Sequence, residues 1–246
     1  MILRKVIVVL ILLAVELSFA QKNNGNVIVK IYPVFNTTKL VLTDGAYVNE
    51  NGDSIYIDVF KFYLSGICFN NKENTFCGKK SYQLINAEDS STFTFTLKNI
   101  PAGTYNQLSY EIGVDSLKNT QGVLTGDLDP IKGMYWAWNT GYVAAKIEGH
   151  AGVCKTVHNE FEYHVGGYLP PFQSLRENRI NIDNLVVTAN KTSYLELYAD
   201  VSEWFKTPVK IDVAKINSIV LPNNQSVMMA DNYKDMIKYK SKIEAK

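Results

Sequence analysis

Residues 93–112 read Phe93-Thr94-Phe95-Thr96-Leu97-Lys98-Asn99-Ile100-Pro101-Ala102-Gly103-Thr104-Tyr105-Asn106-Gln107-Leu108-Ser109-Tyr110-Glu111-Ile112. Phe93, Phe95 and Leu97 fall on every second position, as do Leu108, Tyr110 and Ile112, so each run in extended form has one apolar face. A helix would scatter the same side chains around its circumference. Pro101-Ala102-Gly103 is a turn former between them, and the stretch reads as two half-buried strands. The alternation recurs in Val27, Val29, Ile31, in Phe60, Phe62, Leu64, in Ile180-Asn181-Ile182 and in Tyr194-Leu195-Glu196-Leu197-Tyr198, with Asn51-Gly52-Asp53 as a further turn. The expected fold class is therefore all-β, an antiparallel β-sandwich. Helical spacing is confined to the end of the chain. There Asp231 is placed to cap a short C-terminal helix through Tyr233, Met236 and Ile237, spaced i, i+3, i+4. Residues 113–141 lose the alternation and carry Gly122, Gly126 and Gly133 around Asp127-Leu128-Asp129-Pro130. This predicts a long structured loop, a type of segment in which function concentrates.

The amino terminus has Arg4 and Lys5, an apolar run from Val6 to Val15, and Ser18-Phe19-Ala20 before Gln21. That is the pattern of a secretory signal peptide, cut between Ala20 and Gln21. The run is too short to cross a bilayer, so no membrane span is expected after cleavage. The expected organisation is a signal peptide over 1–20, a flexible lead-in over 21–25 and one domain over 26–241, exported to the periplasm or beyond the cell. The whole chain has 25 basic and 24 acidic residues; removal of residues 1–20 takes Arg4, Lys5 and Glu16 and leaves it formally neutral. Without a basic block, nucleic acid is not an expected partner. In an oxidising compartment, Cys68 and Cys77 flank a polar stretch suited to a hairpin tip and are expected to form a disulfide contributing about 2–4 kcal/mol, with Cys154 the free thiol.

All three histidines, His150, His158 and His164, fall within fifteen residues that follow Met134-Tyr135-Trp136-Ala137-Trp138-Asn139-Thr140-Gly141-Tyr142. Imidazole is the commonest transition-metal ligand. On a strand from His158 to Val165 the two later histidines would share a face with Glu160 and Glu162 but lie roughly 20 Å apart, so one ion cannot take both without a bend. A site then needs His164, or His158 with His150 or Cys154; the alternative is hydrogen-bonded strand histidines. Trp136 and Trp138 point to one side of an extended segment, either as core residues, as a stacking surface for sugar, or as oxidisable side chains beside a metal. Asp115, Asp127 and Asp129 offer oxygen ligands for calcium, or simply cap turns. No Gly-x-Ser-x-Gly, His-Glu-x-x-His or P-loop is present, and the chain is expected not to be an enzyme.

The segments Phe62-Tyr63-Leu64-Ser65, Gly113-Val114-Asp115-Ser116, Leu128-Asp129-Pro130 with Met134 to Tyr142, Glu162-Tyr163-His164-Val165-Gly166-Gly167 and Ala230-Asp231-Asn232-Tyr233 resemble, in this order, the MbnP-like copper-binding family, in a Bacteroidetes-like variant. The resemblance spans nearly the whole chain after the leader, so it assigns 26–241 to an MbnP-like domain. It implies a largely β fold, a periplasmic or cell-surface location and copper as the bound metal. In the methanobactin-associated members, copper is held by histidines and by a kynurenine that a partner di-haem enzyme makes from tryptophan. Carried over, His164 and either Trp136 or Trp138 are the matching positions. Opening an indole yields an arylamine and a ketone, and that nitrogen can join imidazole at copper, which intact indole cannot. One departure stands out: where those members place a histidine after an asparagine, this chain has Asn119-Thr120. His150, His158 or Cys154 is then the substitute, or the metal site is altered. The expected function is an exported, non-catalytic copper-binding protein using His164, Trp136 and Trp138, with His158 and His150 as further candidates. Its expected partners are the copper ion and a di-haem peroxidase-like maturation enzyme. The alternative is a β-sandwich module that binds glycan or protein and no metal.

Overall fold

The computed structural model describes residues 23–138 and 141–243. The expected signal peptide and its cleavage site lie outside the described residues, as do Asn139 and Thr140 of the aromatic motif. Strands are numbered in chain order. One sheet contains β1 (Asn24–Phe35), β2 (Thr38–Lys39), β7 (Thr94–Pro101), β13 (Thr192–Asp200) and β15 (Ile237–Ile243). The other is built on β4 (Ser54–Asn70), flanked by β8 (Gly103–Ile112) and β10 (Gly141–Ala151), and extended by β12 (Arg176–Val187) on one side and by β11 (Glu160–Gly166) and β14 (Ser218–Ile219) on the other. Short strands β3 (Ala46–Val48), β5 (Thr75–Cys77) and β6 (Tyr82–Asn86) pair with β4, and β9 (Tyr135–Trp136) pairs with β10.

The alternating apolar positions face one another across the two sheets. Val27, Val29, Ile31, Leu195 and Leu197 from the first sheet share one buried cluster with Phe60, Phe62, Leu108, Tyr110, Ile147 and Tyr163 from the second. The sandwich is thus the expected one. Two of its pairings run parallel: β1 beside β13 over nine residues, from Asn26↔Thr192 to Val34↔Asp200, and β11 beside β14. Partners so far apart in sequence are under no hairpin constraint, so their direction is set by where the chain returns.

Several boundaries differ from the sequence reading: Phe93, expected in a strand, closes a 3-10 turn over Ser90–Phe93, and β15 runs to Ile243, past the expected domain end at 241. Asn24 and Gly25, expected in the lead-in, already pair with Pro101 and Ile100. The strand expected from His158 begins at Glu160, because His158 and Asn159 take left-handed φ values of 59° and 58° in a 3-10 turn. The helix expected from Asp231 ends near there instead. Besides α1 (Ser116–Asn119), the chain forms α2 (Asn224–Tyr233), capped by Asn223, whose side chain accepts from Ser226 N while Ser226 Oγ accepts from Asn223 N. Past Tyr233 the chain reverses through a Met236 N–H bond to Tyr233 O and enters β15. Tyr233, Met236 and Ile237 are all buried, so their spacing reported burial and not helix.

Cys68 and Cys77 are directly opposed across β4 and β5 and form the expected disulfide, while Cys154 is a buried thiol that donates to Val213 O at 3.3 Å. Among the described residues no helix is long and apolar enough to cross a membrane.

Candidate metal centre

The described part of the 113–141 segment packs into its own small core. Tyr63, Leu84, Val114, Leu128, Met134, Trp136, Tyr142 and Val143 form a second buried cluster beside the main one. Burying that much aromatic surface holds a segment that regular strand pairing does not. The polar residues of the loop serve the same end. Asn119 is buried; its Oδ1 accepts from Tyr142 N at 2.7 Å and its Nδ2 donates to the carbonyls of Val114 and Asp115. Asp115 accepts from Lys118 N and caps α1, Asp127 accepts from Leu84 N and Lys132 Nζ, and Asp129 accepts from Ile131 N. The three aspartates act as caps and anchors in separate turns.

The histidines occupy three settings. His164 lies on β11 opposite Lys146 of β10, and its Nε2–H donates to Glu148 Oε1 at 2.7 Å. Lys146 Nζ is 3.3 Å from the same oxygen. The His164 hydrogen bond first, then the Lys146 charge, hold the Glu148 carboxyl down at about 2 against the opposing effect of partial burial. His150 lies opposite Glu160, four positions further along β10, or about 13 Å at ordinary strand rise. Its Nδ1–H donates to Asp58 Oδ2 at 2.9 Å and its ring stacks on Tyr56 at 4.7 Å. His158 is exposed in its turn. The strand face expected for His158 is therefore not the one it takes.

Trp136 and Trp138 are in contact, with ring centroids 5.6 Å apart, but Trp136 is 6 % exposed and Trp138 63 %. One is core and the other surface. Across β10 from Trp136 is Gly141, and the Trp136 ring covers Gly166 of β11. A Cβ at Gly166 would stand 2.6 Å from Trp136 Cζ3 and 2.8 Å from the Tyr142 carbonyl oxygen, so only glycine lets the indole seat there. Tertiary packing thus places the Trp136 ring on Gly166, two residues along β11 from the His164–Glu148 pair, while His150 pairs with Asp58 further along β10.

Sequence reasoning missed Glu148, Gly166 and Asn119. Glu148 had a signal in its alternation with Lys146 and His150 on β10; the register that puts it against His164 is not a local property. Among the described residues, no group of three or more His, Cys, Asp or Glu side chains is arranged to hold a metal ion. The donors present together are the His164 imidazole and the Glu148 carboxylate. Glu148 sits on the Nε2 side of the ring, which leaves His164 Nδ1 as the free nitrogen, and with intact indoles the described side chains fall short of a copper ligand set.

A family model described as MbnP matches residues 24–229. The solved structure of MbnP from Methylosinus trichosporium is similar with a TM-score of 0.51 at 12% identity, over 81% of this chain and 82% of that chain. At that identity the likeness concerns the fold. No curated protein matches this chain.

Proposed function

Because this chain belongs to the MbnP family, we propose that it is an exported, non-catalytic copper-binding protein. Its site is formed by His164 and Glu148 with a nitrogen donor derived from oxidised Trp136 or Trp138. The observation that carries this reading is the seating of the Trp136 indole over Gly166, two residues after His164 along β11. His164 supplies its imidazole Nδ1, and Glu148, on the opposite ring nitrogen, orients that ring. Trp138 is the tryptophan open to solvent and to a maturation enzyme of the di-haem class. His150 and His158 are outside the site, since one is tied to Asp58 and Tyr56 and the other sits on an exposed turn. Copper bound here would be held for handling or transport, with no substrate turned over.

The test is titration of the protein from its native host with Cu(I) and Cu(II), beside a His164→Ala variant. Loss of at least about tenfold in affinity is expected for the variant, together with a shifted mass for the proteolytic peptide that contains Trp136 and Trp138. Unchanged affinity and an unmodified peptide would reject the copper reading. The exposed Trp138, in tilted contact with Trp136, would then be read as a platform for a sugar ring.

A further inference from the structure

A second cleft lies on the outer face of the first sheet, away from His164. It encloses about 910 Å³, within the range of small-molecule sites. Strand geometry explains its lining. Lys30, Tyr32 and Val34 alternate onto one face of β1, and Lys39 of β2 is paired directly with Val34, so it emerges on that same face. The segments after β2 and before β7 rise over this surface and add Leu40, Leu42 and Phe93 as walls. The result is an apolar trough with a lysine towards each end, Lys30 and Lys39 being four strand positions or about 13 Å apart along β1.

Lys39 is the cation without a carboxylate beside it, whereas Lys30 lies opposite Glu196 across β1 and β13. Glu88 is the carboxylate of the lining and is engaged at 2.6 Å by Lys61. Lys30 Nζ rests 4.8 Å from the centre of the Tyr32 ring, and Lys39 is exposed with no ion pair among the described residues. Apolar walls with unpaired positive charge at the mouth select a ligand that is apolar along its body and anionic at its head.

We propose that this cleft binds a free amphipathic organic acid, its alkyl or aryl body against the partly exposed Leu42 and Phe93 and its carboxylate at Lys39. The site is independent of the copper reading, shares no residue with it, and stands or falls separately.

The experiment is displacement of anilinonaphthalene sulfonate, itself an amphipathic anion, from the purified protein by decanoate, decanol and decylamine. Decanoate is expected to displace the dye with one-to-one stoichiometry, while decanol and decylamine require roughly tenfold more or fail, since neither offers Lys39 an anionic partner. Lys39→Glu, an exposed change that leaves the core alone, is expected to weaken decanoate about tenfold or more. Leu42→Asp is expected to abolish binding with the melting temperature as the control for folding. Equal displacement by decanoate and decylamine, or full decanoate binding in Lys39→Glu, overturns the proposal whether or not the Leu42 variant folds.

Discussion

Single residues decide the proposed site. Gly166 is the clearest, because the space its Cβ would need is already occupied by the Trp136 ring on one side and by the Tyr142 carbonyl on the other. Neither neighbour can yield cheaply: one is a buried indole, the other backbone in β10. Gly166→Ala is therefore expected to destabilise the protein by about 1–3 kcal/mol, the usual cost of forcing a methyl group into a filled space. Urea denaturation measures the loss, and a red-shifted tryptophan emission would show the indole displaced towards water. A stable variant with unchanged emission would mean that Trp136 is not seated on β11, and the copper reading would lose the contact on which it rests. In the sequence, Gly166-Gly167 was visible only as part of a motif. Nothing local distinguishes a glycine required by a ring arriving from thirty residues upstream.

At the scale of strands and helices, the chain was legible wherever a pattern reflected burial on one face. The alternations in β1, β4, β8, β12 and β13 became strands because one side of each meets the opposite sheet. Where a pattern was short, burial and secondary structure came apart. Tyr233, Met236 and Ile237 are spaced like a helix face, yet they span a helix end, a reversal and a strand start. His158 failed as a strand residue because two successive left-handed φ values turn the chain there. Pro101-Ala102-Gly103 is a turn as expected, but its two strands do not pair with each other: β7 joins β1 and β8 joins β4 and β12, so the turn is a corner from one sheet to the other.

The outer face of the first sheet contains a cross-strand junction with a pH signature. Glu196 of β13 accepts from Tyr32 of β1 at 2.5 Å and from Lys240 and Ser241 of β15 at 2.7 and 2.5 Å. The Lys240 hydrogen bond above all, then those of Ser241 and Tyr32, hold its carboxyl near 2, below the ordinary 4.5. The folded state thus binds this proton less readily than the unfolded chain. The junction stabilises fully above about pH 4.5, and its contribution fades as pH falls through about 2. Glu196→Gln is expected to be less stable than the wild type above that window and to converge with it at the lower end. Urea midpoints at the two ends of the window check this; a constant difference between the two proteins would show that the junction does not depend on the Glu196 charge.

For the molecule as a whole, closure depends on contacts between distant parts of the chain. β1 is completed by β13 and β13 by β15, and the end of that ladder is fastened by charge. Asp200 is buried, with Oδ1 accepting from Asn36 N and from the Ser202 amide and hydroxyl, and Lys238 of β15 reaches both Asp200 at 3.0 Å and Glu203 at 2.5 Å. Lys238→Ala leaves two largely buried carboxylates without their cation. A loss of about 1–3 kcal/mol is expected, discounted from the cost of breaking a fully buried pair because the lysine is 43% exposed. It is measured by thermal or urea unfolding, and an unchanged midpoint would mean that water replaces the lysine without cost.

The sequence alone determined the class of the fold, the Cys68–Cys77 disulfide and the family, because alternation, hairpin-tip spacing and motif order are properties of neighbouring residues. The tertiary structure decided which strands run parallel, that His150 and His158 stand apart from His164, that Glu148 faces His164, and that one tryptophan is core and the other surface. The physical reason is register. A one-face pattern says that a residue points outward, while the residue beside it across the sheet is set by how distant segments align once the core has closed.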